Sequence, residues 1–184
     1  MALRKRVLLL TGSPGIGKTT VLTKAISGLK TKGYCVGGML SREVREGGTR
    51  VGFEILDLSS DKRGCLANVN QRRGPQVGKY RVNMEDLNGI GAQAVTDAVE
   101  NCDAVAVDEV GPMELFSVKF KEAVRKALES RKPVLAVVHW KAQDKLISDA
   151  KRREDAETII VTSENREKLN ERIIGKTLEL LKQT

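Results

Sequence analysis

Short apolar runs alternate with amphipathic stretches along most of the chain. Val7-Leu8-Leu9-Leu10 reads as a buried strand. Lys18 to Lys32 carries Val21, Leu22, Ala25, Ile26 and Leu29 at helical spacing, with Gly33 as its stop. Tyr34 to Leu40 reads as a second strand. Later in the chain Ala104–Val107, Val134–Val138 and Thr158–Val161 are apolar strand patterns. Helical patterns lie between them: Asn83 to about Asn101, a helix capped by Ser117 with Phe120, Val124, Ala127 and Leu128 on one face, and Gln143 to Arg153. A last helix, for which Ser163 is the expected cap, turns Leu169, Ile173, Ile174, Leu178 and Leu181 inward. Strands alternating with helices predict parallel βαβ units.

The middle of the chain departs from this rhythm. Ser41–Glu46 and Arg50–Leu58 flank Gly47-Gly48, a hairpin signature. Asp61 to Gly78 is polar and rich in glycine and proline, and reads as a long loop before a short strand at Lys79–Val82. The expected architecture is therefore α/β: a mainly parallel sheet flanked by helices, with an inserted antiparallel hairpin excursion. No internal repeat or linker divides it, so one domain over 1–184 is expected.

Composition narrows the picture a little. The 184 residues are 40% hydrophobic and 30% charged, which is ordinary for a domain with a real core. The net charge of +8 invites anionic partners, nucleotides or nucleic acid. Aromatics at 3% are too few for a base-stacking platform, so nucleic acid is not the favoured partner. Cys35, Cys65 and Cys102 are odd in number and widely spaced, which argues against a disulfide framework or a zinc site and for a reducing cytoplasm. The basic-then-apolar start from Met1 to Leu10 is too short for a signal peptide and runs into a glycine loop. No segment is long enough to span a membrane, and a monomer is expected.

The chemistry concentrates at two places. Gly12-Ser13-Pro14-Gly15-Ile16-Gly17-Lys18-Thr19 fits the full phosphate-loop pattern, between an apolar strand and an amphipathic helix. Its curled backbone turns successive N–H groups toward one anion, and the helix adds its positive end. Lys18 is expected to reach the β- and γ-phosphates, and the Thr19 hydroxyl, followed by Thr20, to bind Mg²⁺. Ala104–Val107 then runs into Asp108-Glu109. Asp108 at a strand's carboxyl end would hold Mg²⁺ through water, and Glu109 would orient and polarise the attacking water. Asp108-Glu109-Val110-Gly111 also fits an Asp-x-x-Gly element, but no Asn-Lys-x-Asp segment to read guanine accompanies it.

Other candidates carry two readings each. Glu114 is either a second acid near the metal or a water-facing residue in a helix's first turn. His139 is either a phosphate sensor or a structural histidine. Arg42, Arg45, Arg50, Arg152 and Arg153 are either solvated charges or the cation that neutralises the transition state. Asn165 and Arg166, after the last strand, could hydrogen-bond a base and stack on it, or simply open a helix.

These segments together resemble the small P-loop nucleoside-triphosphatases that include the human cancer-related nucleoside-triphosphatase. The resemblance rests on Thr11–Thr20, Glu43-Val44-Arg45, Gly47-Gly48, Arg50-Val51-Gly52-Phe53 and Val77-Gly78-Lys79-Tyr80. It continues through Asp108-Glu109-Val110-Gly111-Pro112-Met113-Glu114-Leu115-Phe116, Val161-Thr162 and Glu164-Asn165-Arg166. It implies a P-loop α/β core of RecA-like or kinase-like type, and slow Mg²⁺-dependent hydrolysis of several nucleoside triphosphates, ATP and GTP among them, to diphosphate and phosphate. Two alternatives use the same loop: a kinase passing the γ-phosphate to a nucleotide, small molecule or RNA end, and a non-enzymatic nucleotide-dependent binder.

Overall fold

The apolar runs form the centre of one nine-stranded sheet. The computed structural model describes residues 4–182, so Met1–Leu3 of the basic start lie outside the described residues. Five strands run parallel: β1 (Val7–Thr11), β2 (Val36–Glu46), β7 (Ala104–Val110), β8 (Val134–Val138) and β9 (Ala156–Ile160). Four more are antiparallel additions: β3 (Thr49–Asp57), β4 (Arg63–Asn68), β5 (Gln76–Val77) and β6 (Tyr80–Val82). The spatial order is β5-β6-β4-β3-β2-β7-β8-β1-β9.

Both faces of the parallel strands are covered, which is why they read as near-continuous apolar runs. Helices α1 (Lys18–Thr31) and α6 (Arg166–Leu181) cover one face. Their buried Val21, Leu22, Leu29, Leu169 and Ile173 meet Leu8, Leu10, Leu40, Ala104, Ala106 and Val137. The other face takes α3 (Ala92–Asn101), α4 (Val118–Glu129) and α5 (Lys145–Arg152) against Leu9, Met39, Val105, Val107 and Ala136. Among the described residues no helix is long and apolar enough to cross a membrane.

The expected excursion is larger than a hairpin. The second strand and the first hairpin arm are one strand, β2, which leaves the parallel sheet after Leu40 and continues to Glu46. The expected loop at Asp61–Gly78 contains β4, whose Leu66 and Ala67 are buried. Pairing with β3 fixes that segment, a tertiary effect its polar composition hides. The helix expected from Asn83 begins as α2 (Met84–Asp86), capped by the Asn83 side chain, and passes through a π-helical turn at Leu87–Gly91 before α3. Ser117 caps α4 as expected, its Oγ accepting from the Phe120 N–H at 2.9 Å.

Two expectations fail. Ser163 does not cap the last helix; α6 begins at Arg166, with Asn165 at the cap position. The cysteines are not all unpaired: Cys35, just before β2, and Cys102, just after α3, form a disulfide with Cα atoms 4.9 Å apart, leaving Cys65 free. Sequence spacing hid the pair, because 67 residues separate two positions that packing brings together.

Gly38 marks the tightest backbone approach in the parallel sheet. Its φ is +117°, and a Cβ there would stand 2.0 Å from the Ala106 carbonyl oxygen of β7. Both the conformation and the space exclude a side chain. Gly38→Ala is therefore expected to lower folding stability by at least about 2 kcal/mol. Urea unfolding midpoints will measure it, and a loss within error of zero would contradict the packing described.

Candidate functional site

The residues that matter converge because of register. Through β8, Leu10 of β1 and Asp108 of β7 stand in one row, both opposite Val137. The same row continues to Leu40 of β2. Leu10, Val137 and Leu40 all face α1 and α6. Asp108 is thus the polar member of an apolar row, aimed at the helix that carries Thr19.

The phosphate loop begins where that row ends. Gly12 follows β1 with φ +148°, and a Cβ there would meet the Val161 carbonyl oxygen at 2.8 Å. The loop can rest against the segment after β9 only because this position has no side chain. The Val161 N–H donates to the Thr11 carbonyl at 2.8 Å, and the Ile16 N–H to the Ser13 carbonyl at 3.3 Å. The curl opens α1 at Lys18, with the helix's free N–H groups facing the loop. Lys18 Nζ folds over it, donating to the Gly12 carbonyl at 3.0 Å and the Ser13 carbonyl at 2.9 Å.

Three carboxyl groups gather at the carboxyl end of β7, Asp108 and Glu109 within the strand and Glu114 just beyond it. Burial pushes Asp108 up to about 7; the Thr19 hydroxyl and the Lys18 charge oppose that, and the Glu109 charge adds to it. Burial likewise raises Glu109, against the favourable charges of His139 and Lys18. Glu114 is 4% exposed, and burial pushes it up to about 8, with the Glu109 and Asp108 charges in the same direction. Its carboxylate accepts from the Gly111 N–H at 3.2 Å, closing the turn after β7. The water-facing alternative for Glu114 is thereby overturned: the 3₁₀ turn at Glu114–Phe116 points it inward. Next to this turn, a Cβ on Gly111 would stand 2.6 Å from Glu109 Oε1, so the glycine leaves room for that side chain.

A divalent cation fits this donor set. Asp108 Oδ2 is buried with no hydrogen-bond partner among the described residues. The Thr19 hydroxyl lies beside the same carboxylate. One carboxylate and one hydroxyl, with water and phosphate oxygens for the remaining positions, is the usual demand of Mg²⁺. No cluster of three His, Cys, Asp or Glu that could hold a metal exists among the described residues. A cation here would thus lean on its nucleotide.

The remaining candidates separate clearly. His139 follows β8, its N–H donating to the Val110 carbonyl at 3.1 Å, so it stands beside Glu109. Arg166 crosses the loop: its Nη1 donates to the Ile16 carbonyl at 3.4 Å, and its Cδ lies 3.7 Å from where a Gly17 Cβ would be. Asn165 is spent on the loop backbone. Its Oδ1 accepts from the Thr162 N–H at 2.9 Å and its Nδ2 donates to the Ile160 carbonyl at 2.8 Å. Arg152 and Arg153 precede β9, whose first residue pairs with the first residue of β1. They sit at the sheet's amino edge, away from the loop, and Arg153 is bound to Asp155. Arg45 and Arg50 both grip Glu43 on the hairpin.

Comparison with known proteins gives the family. A family described as NTPase matches residues 7–174. The chain belongs to that NTPase family. It is 47% identical over 162 residues to the nucleoside-triphosphatase THEP1 of Thermofilum pendens, covering 88% of this chain and 89% of the relative. The THEP1 nucleoside-triphosphatase of Methanosarcina acetivorans is 45% identical over 172 residues, 93% of this chain and 96% of the relative. Among solved structures, THEP1 from the hyperthermophile Aquifex aeolicus superposes with a TM-score of 0.82 at 27% identity, over 93% of this chain and 98% of the other. The human cancer-related nucleoside triphosphatase gives 0.79 at 34% identity, over 92% and 96%. The mainly parallel sheet with antiparallel additions is therefore the fold of this family.

The raised carboxyl groups make stability depend on pH. An unfolded chain ionises Glu near 4.3 and Asp near 3.9, whereas the fold keeps Asp108 and Glu114 protonated up to about 7 and about 8. In that window the folded state binds more protons, so stability falls as pH rises through it. Nucleotide-free protein is expected to lose stability from pH ~5 to pH ~8, and Glu114→Gln to flatten that slope. Denaturation midpoints at three pH values will decide, and an unchanged slope in the variant would refute the burial argument.

Proposed function

We propose that the chain hydrolyses nucleoside 5′-triphosphates, ATP and GTP among them, to diphosphate and phosphate with Mg²⁺. The observation that carries this reading is that Glu109 lies within electrostatic reach of both His139 and Lys18, at the same carboxyl edge of the sheet from which the glycine loop springs. The names of the THEP1 relatives support the same activity.

Each residue has one task in this reading. The backbone N–H groups of the loop, Pro14 excepted, and the end of α1 bind the phosphates. Lys18 leaves the carbonyls of Gly12 and Ser13 for the β- and γ-phosphate oxygens. Thr19 and Asp108 would hold the cation, which would supply positive charge against the β- and γ-phosphates. Glu109 orients water: its oxygen bonds to the γ-phosphorus as the bridging oxygen departs with the diphosphate, and its proton passes to the Glu109 carboxylate. Arg166, lying over the loop, stacks on the base or ribose. A base reader that stacks, unaccompanied by a free amide at Asn165, fits tolerance of several bases.

The test is phosphate release from the Mg²⁺ complexes of ATP, GTP and CTP with no acceptor present. Lys18→Ala should lose nucleotide binding. Glu109→Gln should keep binding and lose about 10²–10³ in kcat. Wild-type turnover surviving in Glu109→Gln would remove Glu109 from the mechanism. Binding without phosphate release in the wild type would point instead to a kinase, with an acceptor other than water. Arg166→Ala should raise Kd for every nucleotide by about tenfold, a stacking loss of 1–2 kcal/mol. A shift confined to one base would contradict a stacking role.

A further inference from the structure

Phosphoryl transfer gains from a cation that meets the negative charge spreading over the γ-phosphoryl oxygens. Lys18 and the metal ligands account for one side of that group. The geometry points to Arg42 as the arginine that completes it; this inference rests on the γ-phosphoryl chemistry proposed above.

Strand register decides the matter. Leu40 of β2 pairs directly with Asp108 of β7, and Leu40 shares the α1-facing side of the sheet with Ala104 and Ala106. Side chains alternate along a strand, so Arg42 returns to the face that carries Asp108. The β2 bulge lies between Val44 and Arg45, beyond Arg42, and leaves this alternation intact. Arg42 stands two residues, ~7 Å, past the level of Asp108 on a strand ~5 Å to its side. Gly12 stands at the same level, two residues past Leu10 of the same row. The guanidinium is thus carried by β2 beyond the carboxyl edge, on the side of the sheet where the loop and Thr19 lie.

Its freedom supports the same conclusion. Arg42 is exposed, and its guanidinium has no hydrogen-bond or ion-pair partner among the described residues. The carboxylate that could claim it is Glu54, directly opposite on β3. Glu54 is already held by Arg63, whose Nη1 lies 3.0 Å from Glu54 Oε1. Neighbouring arginines are committed too. Arg45 and Arg50 bind Glu43, and Arg50 also donates to the Tyr80 hydroxyl at 2.9 Å while lying over the Phe53 ring. Arg152 and Arg153 lie at the wrong edge, and Arg166 approaches from β9, at the far flank of the loop. Of the five arginines the sequence offered, Arg42 alone combines position and an unspent charge. The antiparallel extension then has a catalytic use, since its first strand delivers the cation.

The experiment compares wild type, Arg42→Ala, Arg42→Lys and Arg45→Ala. It measures kcat for Mg-ATP and Kd for Mg-ADP with and without aluminium fluoride, which mimics the transferring phosphoryl group. Arg42→Ala should lower kcat at least ~10²-fold, toward the ~10³–10⁵ that an arginine finger in cis or in trans can supply. Mg-ADP should bind within about threefold of wild type, and the tightening by aluminium fluoride should vanish. Arg42→Lys should recover part of kcat, and Arg45→Ala should match wild type. Turnover within threefold of wild type in Arg42→Ala, or equal losses in kcat and Mg-ADP affinity, would overturn the assignment. If wild type releases no phosphate, the hydrolysis reading fails separately. Arg42 is then judged by the ratio of Mg-ATP to Mg-ADP affinity, and a ratio unmoved by Arg42→Ala refutes it.

Discussion

The row Leu10–Val137–Asp108–Leu40 is the constraint from which the site follows. Four parallel strands must keep this register for the apolar members to meet α1 and α6. A one-residue slip of β7 would turn Asp108 to the opposite face and bring Val107 or Glu109 into its place beside Thr19. The hydrophobic packing of the α1 face therefore fixes where the carboxylate points. Stability and site geometry are set by the same side chains, and Gly38 and Gly12 permit the two backbone approaches on which the arrangement closes.

The order of strands shapes the site as much as the register does. β8 separates the strand that feeds the glycine loop from the strand that ends in Asp108 and Glu109. That gap of two strand spacings, ~10 Å, leaves room for phosphates and a hydrated cation between loop and carboxylates. It also brings His139, at the end of β8, into the middle of the edge. β2 lies on the outer side of β7 and overshoots the edge by six residues, Ser41–Glu46. The site is consequently walled by the α6 start on one flank and the antiparallel extension on the other.

How much of this was legible in the sequence depends on whether the cause was local. Gly12–Thr19 was readable because its chemistry needs specific residues at fixed spacing. Asp108 and Glu109 were readable from the apolar run before them. The extended run of β2 and the existence of β4 were not, since polar edge strands owe their conformation to pairing with a neighbour. Glu114 could be read either way, because an acid opening a short helix looks the same whether it faces water or the inside. Asn165 was readable as a polar loop residue but not as one whose amide is consumed by Thr162 and Ile160. The five candidate arginines were indistinguishable in the sequence. Only strand direction separates Arg152 and Arg153 from the others, and only side-chain pairing separates Arg45 and Arg50 from Arg42.

The burial of Asp108, Glu109 and Glu114 also gives the proposed ligands an electrostatic role. Burial raises the proton affinity of all three, the Glu109 charge adds to this at Asp108 and the Glu109 and Asp108 charges add to it at Glu114, while the fold alone offers Lys18, His139, the Thr19 hydroxyl and the Gly111 N–H in return. Lys18 is at that moment turned to the loop carbonyls. A divalent cation at Asp108 favours the ionised carboxylate outright and removes the reason for it to hold a proton. In the proposed mechanism, phosphates arriving with that cation draw Lys18 from the loop. The charge that burial makes costly in the nucleotide-free protein would then be the charge that the loaded site uses, which would make assembly of the catalytic state and binding of the nucleotide–metal complex one event.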